Sequence, residues 1–430
     1  METTDVIVVG GGPAGIAAAI TAARAGLRVI LFERGKYSGA KNVFGGAIYT
    51  QPTKEIFPDF EASAPLERKN VVHKYAILGE EDSTVVSYSN TKPEFSSYSV
   101  IRGKFDRWMA EEAKKAGVII VEETVVKELL VEDDCVVGVK TELEEVGAKI
   151  VILADGVNSL LAKQIGLRED IVPKDVALSV KEVIKLNKEK INDRFNLEDG
   201  QGCVYQIFGG SMLGKLGLGF LYTNEDSISI GLGITMNELI ENGITPYSLL
   251  EDLKKHPTIA PLIKGGELIE YSAHLIPEGG YKKVPQLYAN GVMIVGDAGM
   301  LVDNLHWEGT NLAMISGKLA AETAILAIQK EDYTEEVLIR YQEKLEDSFV
   351  LKDLKAYRNL MDAAHDRSKS YFDYYFRKIN EFFEMFVSVD SIPKRKKYWT
   401  FFKNFFAQRN VMEIFKDIWG FMRIFWGLIK

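Results

Sequence analysis

A continuous apolar run, Asp5-Val6-Ile7-Val8-Val9, gives way to Gly10-x-Gly12-x-x-Gly15 and then to an alanine-rich stretch ending at Ala25. A second apolar run, Val29 to Phe32, ends at Glu33, 23 residues after Gly10. Apolar runs bounded by glycine predict strands buried on both faces, as in a parallel sheet. Strand, glycine turn, helix and strand together make one βαβ unit. Gly10 permits the tight turn, Gly12 admits a pyrophosphate against the backbone, and Gly15 lets helix and strand pack closely. Pro13 and Ala14 open a helix whose N-terminus attracts phosphate. Glu33, followed by Arg34, is placed to accept a hydrogen bond from a ribose. A glycine turn that binds nothing is the alternative, but the full βαβ context favours a dinucleotide.

The 430 residues suggest about three domains and a core that needs neither disulfide nor metal. A net charge of −9 argues against a general nucleic-acid binder. Cys135 and Cys203 are too few for a disulfide framework, a cysteine-ligated iron–sulfur cluster or a four-cysteine zinc site. The five histidines lack metal-ligand spacing, so no metal is expected. Neither a signal-peptide pattern nor a run of 18 apolar residues is present, so no bilayer-spanning helix is expected. The average hides one asymmetry. Residues 393–430 carry nine basic and two acidic side chains, and 19 of the 45 aromatic residues lie in the last 60 positions.

Further along, the pattern predicts a helix over 104–116, a strand over 118–122 and a hairpin of 125–131 with 136–141. A buried strand over 149–154 follows. Residues 175–235 alternate like an antiparallel sheet. A buried strand returns at 292–295, before a helix over 309–330, and the chain beyond Tyr333 reads as helical. The nucleotide-type pattern is thus interrupted and resumed. The expected domains are a discontinuous nucleotide domain (1–70, 100–165, 285–335), a substrate domain (71–99, 166–284) and a C-terminal helical region (336–430).

NAD and FAD enzymes share the N-terminal fingerprint, and two later segments separate them. Ala154-Asp155-Gly156 and Gly296-Asp297-Ala298 each place a carboxylate at the end of a buried strand. There it can accept hydrogen bonds from the ribityl hydroxyls of a flavin. The helix that follows can aim its N-terminal N–H groups at the flavin's pyrimidine edge and stabilise negative charge there. A turn with a helix cap is the bland alternative for Gly-Asp alone. Together with the fingerprint, FAD is the expected cofactor.

Four stretches together resemble the FixC and electron-transfer-flavoprotein:quinone oxidoreductase family. They are Gly10–Gly15, Gly39-Ala40-Lys41-Asn42-Val43-Phe44-Gly45-Gly46, Arg102-Gly103-Lys104-Phe105-Asp106-Arg107-Trp108, and Gly296 through His306-Trp307-Glu308-Gly309-Thr310-Asn311. The resemblance implies an α/β fold with a Rossmann-like FAD-binding domain of three-layer, glutathione-reductase type. An antiparallel substrate or quinone domain is interleaved with it, and a helical region follows. It also implies that Arg102 lies along the nucleotide, with Val125 near the adenine and Asp297 by the ribityl chain. Gly309, Thr310 and Asn311 would meet the isoalloxazine, and Asn42, Phe44, Gly45 and Gly46 would line its other side. Phe208-Gly209-Gly210 resembles a turn lining the family's quinone pocket, although a plain hairpin turn accounts for it equally. His306 is the best-placed candidate proton donor, or else packs beside the flavin.

The family's longer members carry cysteines for a four-iron cluster, which this chain lacks. It resembles the short form, which works beside a separate ferredoxin-like iron–sulfur protein. The implied activity is FAD-dependent electron transfer from a two-subunit electron transfer flavoprotein to a membrane quinone, menaquinone or ubiquinone, within or outside an electron-bifurcating complex. An NAD(P)H-dependent monooxygenase or geranylgeranyl-type reductase is one alternative, and a relay subunit without quinone turnover is another. Val411, Phe415, Ile418, Met422, Phe425 and Ile429 recur at helical spacing after the basic run Lys394–Lys397. Such a helix suits a membrane interface, here the cytoplasmic side, with the protein peripheral or monotopic. Docking on the protein's own core or on a partner is the alternative.

Overall fold

The computed structural model describes residues 3–40, 46–92 and 96–426. The chain divides into two compact units, each discontinuous in sequence. The first comprises Met1–Lys69, Lys92–Val176 and His274–Arg358, and the second Asn70–Thr91, Ala177–Ala273 and Asn359–Lys430.

In the first unit the βαβ pattern becomes the centre of a Rossmann-like α/β sheet. Its strand order is Tyr288–Ala289, Val292–Ile294, Glu145–Leu153, Thr3–Val9, Val29–Phe32, Ile119–Val121. From Val292–Ile294 to Ile119–Val121 every neighbour is parallel. Val6, Ile7 and Val8 are fully buried, as their uninterrupted apolar run requires. Register places Val9 beside both Leu153 and Phe32, and Leu153 beside Ile294. The carboxyl ends of these strands therefore share one edge of the sheet. The hairpin Val126–Glu132 and Cys135–Thr141 turns at Asp133 and Asp134, both at positive φ, and adds to Glu145–Leu153 in antiparallel fashion.

Two helices cover this sheet in close mutual contact, Pro13–Arg24 and Thr310–Lys330. At Gly317 a methyl group would strike the Ala14 carbonyl, so only glycine allows the backbones this near. Among the described residues Thr310–Lys330, whose length matches the helix expected over 309–330, is also the one helix long and apolar enough to cross a bilayer, although no run of 18 apolar residues marks it. Its apolar window is 67% buried inside the protein, so it serves as the core helix of the unit. The helix Glu335–Asp347 packs on the same core, where the buried Tyr341 hydroxyl donates to the Ile294 carbonyl (2.9 Å).

The second unit carries an antiparallel sheet ordered Glu267–Pro277, Val176–Lys185, Ser227–Thr235, Gly217–Thr223, Gln201–Gly209, Leu66–Leu78, with Ser83–Ser89 beside the last. Ile228, Ile230, Leu232 and Ile234 pack with Leu250 and Leu253 of the helix Pro246–Lys255. Helices Leu360–Asp366, Tyr375–Val387, Lys394–Gln408 and Val411–Phe425 also belong here. The region 336–430 is thus shared. Helices Glu335–Asp347 and Phe349–Ala356 lie in the first unit, because Tyr341, Leu345 and Leu351 complete its core.

Gly317→Val should force the two core helices apart and lower stability by about 2–3 kcal/mol. The urea midpoint of the purified protein measures it, and an unchanged midpoint would refute the close-contact account.

Candidate functional site

The turn after Thr3–Val9 is held from several sides. Gly10 has φ +105°, and its N–H donates to the Phe32 carbonyl (2.8 Å). A methyl group at Gly10 would strike the Ala154 carbonyl, and one at Gly15 would strike that of Gly10. Gly12 caps the helix that Pro13 begins. Glu33 is buried at the tip of the next strand, where its carboxylate accepts from the N–H groups of Gly11 (2.8 Å) and Gly35 (2.6 Å). Thr124 N–H reaches the Glu33 carbonyl (2.9 Å), so the neighbouring Val125 comes to the same sheet edge.

Asp155 and Asp297 meet this edge from the two other parallel strands. Burial pushes the Asp155 carboxyl up, and the Ser159 hydroxyl opposes this by donating to it (3.2 Å). Burial pushes Asp297 up to about 6, against the pull of Arg102 and Arg168. Gly296 sits at φ +60°, where a methyl group would lie 2.8 Å from the Ala14 Cβ. At the start of the core helix, Asn311 Nδ2 donates to Glu308 (2.6 Å), while its buried Oδ1 finds no partner among the described residues. Gly309 is the cap of that helix and Thr310 its first residue. Gly46 is buried, and its carbonyl accepts from Val100 N–H (2.9 Å). Asn42, Phe44 and Gly45 lie outside the described residues.

Positive charge enters from residues dispersed in sequence. Arg102 is buried in a bidentate pair with Asp106 (2.7 and 2.9 Å). Arg168 is buried too, donating to the Ala298 carbonyl (2.9 Å) and lying near both Asp155 and Asp297. Burial, with the charges of Arg102 and Arg34, holds the His274 pKa down to about 4, so that ring is neutral near pH 7. Ser38 Oγ, wholly buried beside Gly11, lacks a partner among the described residues.

This set of groups suits FAD. A phosphate fits a glycine-lined helix N-terminus with arginines nearby. Ribityl hydroxyls can donate to Asp297, and an imide N–H can satisfy the unpartnered Asn311 oxygen. Sequence reasoning did not find Ser38, Arg168 or His274, because each acquires its meaning from what folds beside it. His306 lies in the same unit, in the turn before Gly309, its ring hydrogen-bonded to Asp303.

Phe208, Gly209 and Gly210 belong to the second unit. Gly209 (φ +75°) passes so near Leu78 that a methyl group would strike its carbonyl, and Gly210 has φ +57°. This packing requires the glycines without any ligand. The Phe208 ring packs edge-on against Phe376, centroids 5.9 Å apart.

Burial raises the Glu278 carboxyl to about 8, partly offset by a hydrogen bond from Asn304 (2.8 Å). The folded state then binds this proton more tightly than the unfolded chain, whose value is near 4.5. Stability should therefore fall as pH rises between these values, by at most about 1.4 kcal/mol per pH unit. Glu278→Gln should match the native protein near pH 4.5 and exceed it near pH 8 in chemical denaturation. Parallel stability curves would refute this.

Residues 5–164 match the family profile described as FAD dependent oxidoreductase. Residues 360–426 match the ETF-QO/FixC family C-terminal domain. The chain is 41% identical over 429 residues to Protein FixC of Bradyrhizobium diazoefficiens, covering 98% of this chain and 99% of that one. It is 40% identical over 396 residues to the probable electron transfer flavoprotein-quinone oxidoreductase YdiS of Escherichia coli, covering 91% and 92%. Among solved structures, a geranylgeranyl bacteriochlorophyll reductase-like protein of Thermoplasma acidophilum superposes with a TM-score of 0.69 at 24% identity, covering 87% and 93%. The myxobacterial halogenase CndH does so at 0.64 and 20% identity, covering 96% and 92%. These two share the fold alone. FAD is the cofactor that the glycine turn and the acidic strand ends anticipated. With near-full-length relatives and both family profiles in agreement, the chain belongs to the FixC/electron transfer flavoprotein–quinone oxidoreductase family of FAD-dependent oxidoreductases.

Proposed function

We propose that this oxidoreductase passes electrons from an electron transfer flavoprotein, beside a separate ferredoxin-like iron–sulfur protein, to a membrane quinone. FAD supplies the exchange of one or two electrons that links such partners. The chain's own residues bind and orient it. Gly10, Gly12, Pro13, Ala14 and Gly15 take the diphosphate, with Arg102 alongside. Glu33 and Arg34 take the adenosine end, with Val125 beside the base. Ala154, Asp155, Gly156, Gly296 and Asp297 take the ribityl side. Gly309, Thr310 and Asn311 take the pyrimidine edge, and Gly46 the opposite side. Phe208, Gly209 and Gly210 line the quinone pocket.

The observation carrying the membrane part is the orientation of the tail within the second unit. In Val411–Phe425 the two acids turn inward, while Lys416 and Arg423 stay exposed. Asp417 is 2% exposed and accepts from Arg409 (2.7 and 2.8 Å) and the Tyr375 hydroxyl (3.0 Å). Glu413 pairs with Arg367 (2.8 Å). Val411, Phe415, Ile418, Trp419 and Met422 are turned outward, Phe415 remaining 64% exposed, as are Trp399, Phe402 and Phe406 of Lys394–Gln408. A large outward apolar face suits a lipid interface. The polar face docks on the protein, so part of the docked alternative also holds. The basic run is divided. Lys394 caps the carbonyls of Met385, Phe386 and Ser388, and Lys397 pairs with Asp390 (2.7 Å). Arg395 and Lys396 remain exposed for anionic headgroups. The protein would then sit on the cytoplasmic face of the membrane, held from one side.

Anaerobic reduction of the purified flavoprotein by reduced electron transfer flavoprotein, then reoxidation by quinone, tests the reaction. Fast reduction by NADH or NADPH alone, without a quinone reaction, would favour a monooxygenase or reductase instead. Flavin that never reoxidises with quinone would favour a relay subunit. Phe415→Glu with Trp419→Glu, or deletion of 398–430, should cut co-sedimentation with anionic liposomes at least tenfold, about 1.4 kcal/mol, while FAD stays bound. Undiminished sedimentation would exclude the tail as the anchor.

A further inference from the structure

The turn from Asp303 to Glu308 lies directly before the core helix. It is closed by Asp303 N–H to the Glu308 carbonyl (2.9 Å) and Glu308 N–H to the Asp303 carbonyl (3.2 Å). Asp303 is buried. Its Oδ1 accepts from the N–H groups of Leu305 (2.9 Å) and His306 (3.1 Å), while Oδ2 meets His306 Nδ1 at 2.8 Å. The Oδ1 bonds suffice to close such a turn, so the imidazole adds a titratable group that the turn itself does not use. A carboxylate on Nδ1 fixes the inner proton there and leaves Nε2 to exchange protons. The His306 side chain is half exposed, within reach of water.

The surroundings favour a cation. The Asp303 hydrogen bond holds His306 above its usual value of 6.5, and the charges of Asp303, Glu308 and Asp353 add to this against burial. The Tyr357 ring stands edge-on at 5.3 Å. On the far side of the turn, Glu308 bonds Asn311, whose unpartnered oxygen marks the expected ring site.

We propose that Asp303 and His306 form a proton-holding pair for the cofactor site, His306 binding one proton at Nε2 as an electron pair enters and releasing it as the pair leaves. This rests on the isoalloxazine meeting Gly309–Asn311. Two electrons arrive from the donor of the oxidoreductase reaction. One proton comes from water and forms the Nε2–H bond, offsetting one of the two negative charges, and Nδ1–H stays on Asp303. Asp303 is the positioning residue. Its carboxylate acts through the ring.

Histidine-selective 15N NMR of the holoprotein tests the pair, with the His306 signal identified by its loss in His306→Gln. Expected is a titration above 6.5 in the oxidised protein, and proton affinity at least threefold higher after dithionite reduction. Asp303→Asn keeps the Oδ1 cap but loses the charge. It should weaken proton binding at His306 at least tenfold and reduce the proton uptake per electron pair that the pH dependence of the flavin midpoint potential reads. Asp303→Glu should restore part of both. Identical His306 titrations in oxidised and reduced protein, or an Asp303→Asn variant that titrates normally, would overturn the pair. Asn311→Leu separates the underlying placement. An unaltered flavin spectrum and affinity would remove the ring from this helix start and the pair from its role, whatever His306 itself does.

Discussion

Helix Pro13–Arg24 and helix Thr310–Lys330 meet backbone to backbone, because Gly317 leaves room for the Ala14 carbonyl. Similar vacated space recurs where Gly15 meets Gly10, where Gly10 meets Ala154, and where Gly296 meets Ala14. Four glycines therefore stack the N-terminal turn, the loop after Glu145–Leu153 and the loop after Val292–Ile294 into one edge of the sheet. Small side chains give up apolar burial at these points. In exchange, strand ends far apart in sequence come close enough for a single extended cofactor to span them.

That convergence has an electrostatic cost. Glu33, Asp155 and Asp297 are all brought to one sheet edge, where burial opposes the charge of Asp155 and Asp297. Two backbone N–H groups satisfy Glu33, and Arg102 and Arg168 offset Asp297. The same balance recurs with opposite sign at His306, whose carboxylate neighbours favour the protonated ring. In the second unit, buried charge serves a different end. Asp417 draws Arg409 and Tyr375 inward, and Tyr375 directly follows a π-helical turn over Ser370–Tyr374. The aromatic side of Val411–Phe425 is left facing out as a consequence.

The βαβ unit, the hairpin after Val125 and the core helix were legible because each is a local pattern: buried runs bounded by glycine, alternation around a polar turn, and a helix that opens after Gly309. The strand Leu66–Leu78 was not, since Arg68 and Asn70 are buried within it and break the apolar pattern. The helix Lys188–Phe195 was hidden inside an alternating region, although Asn187 caps it through its side chain. Among site residues, the glycines and the acidic strand ends announced themselves by spacing. Arg168, His274 and Glu278 did not, because a lone charged residue reads as surface until burial gives it a partner or denies it one.

The sequence by itself determined that a dinucleotide fold begins at Asp5 and resumes near Val292, and that its likeness lies with the FixC type. Those features follow from periodicity and from glycines at fixed intervals, which no packing is needed to read. Only the tertiary structure decided which charges are buried, that Lys394 and Lys397 serve as helix caps and ion-pair partners, and that the tail helix turns its aromatic side outward. Hydrophobic periodicity states that a helix has two sides. Which side faces in depends on what waits to receive it, and here Arg409, Arg367 and Tyr375 receive the acids.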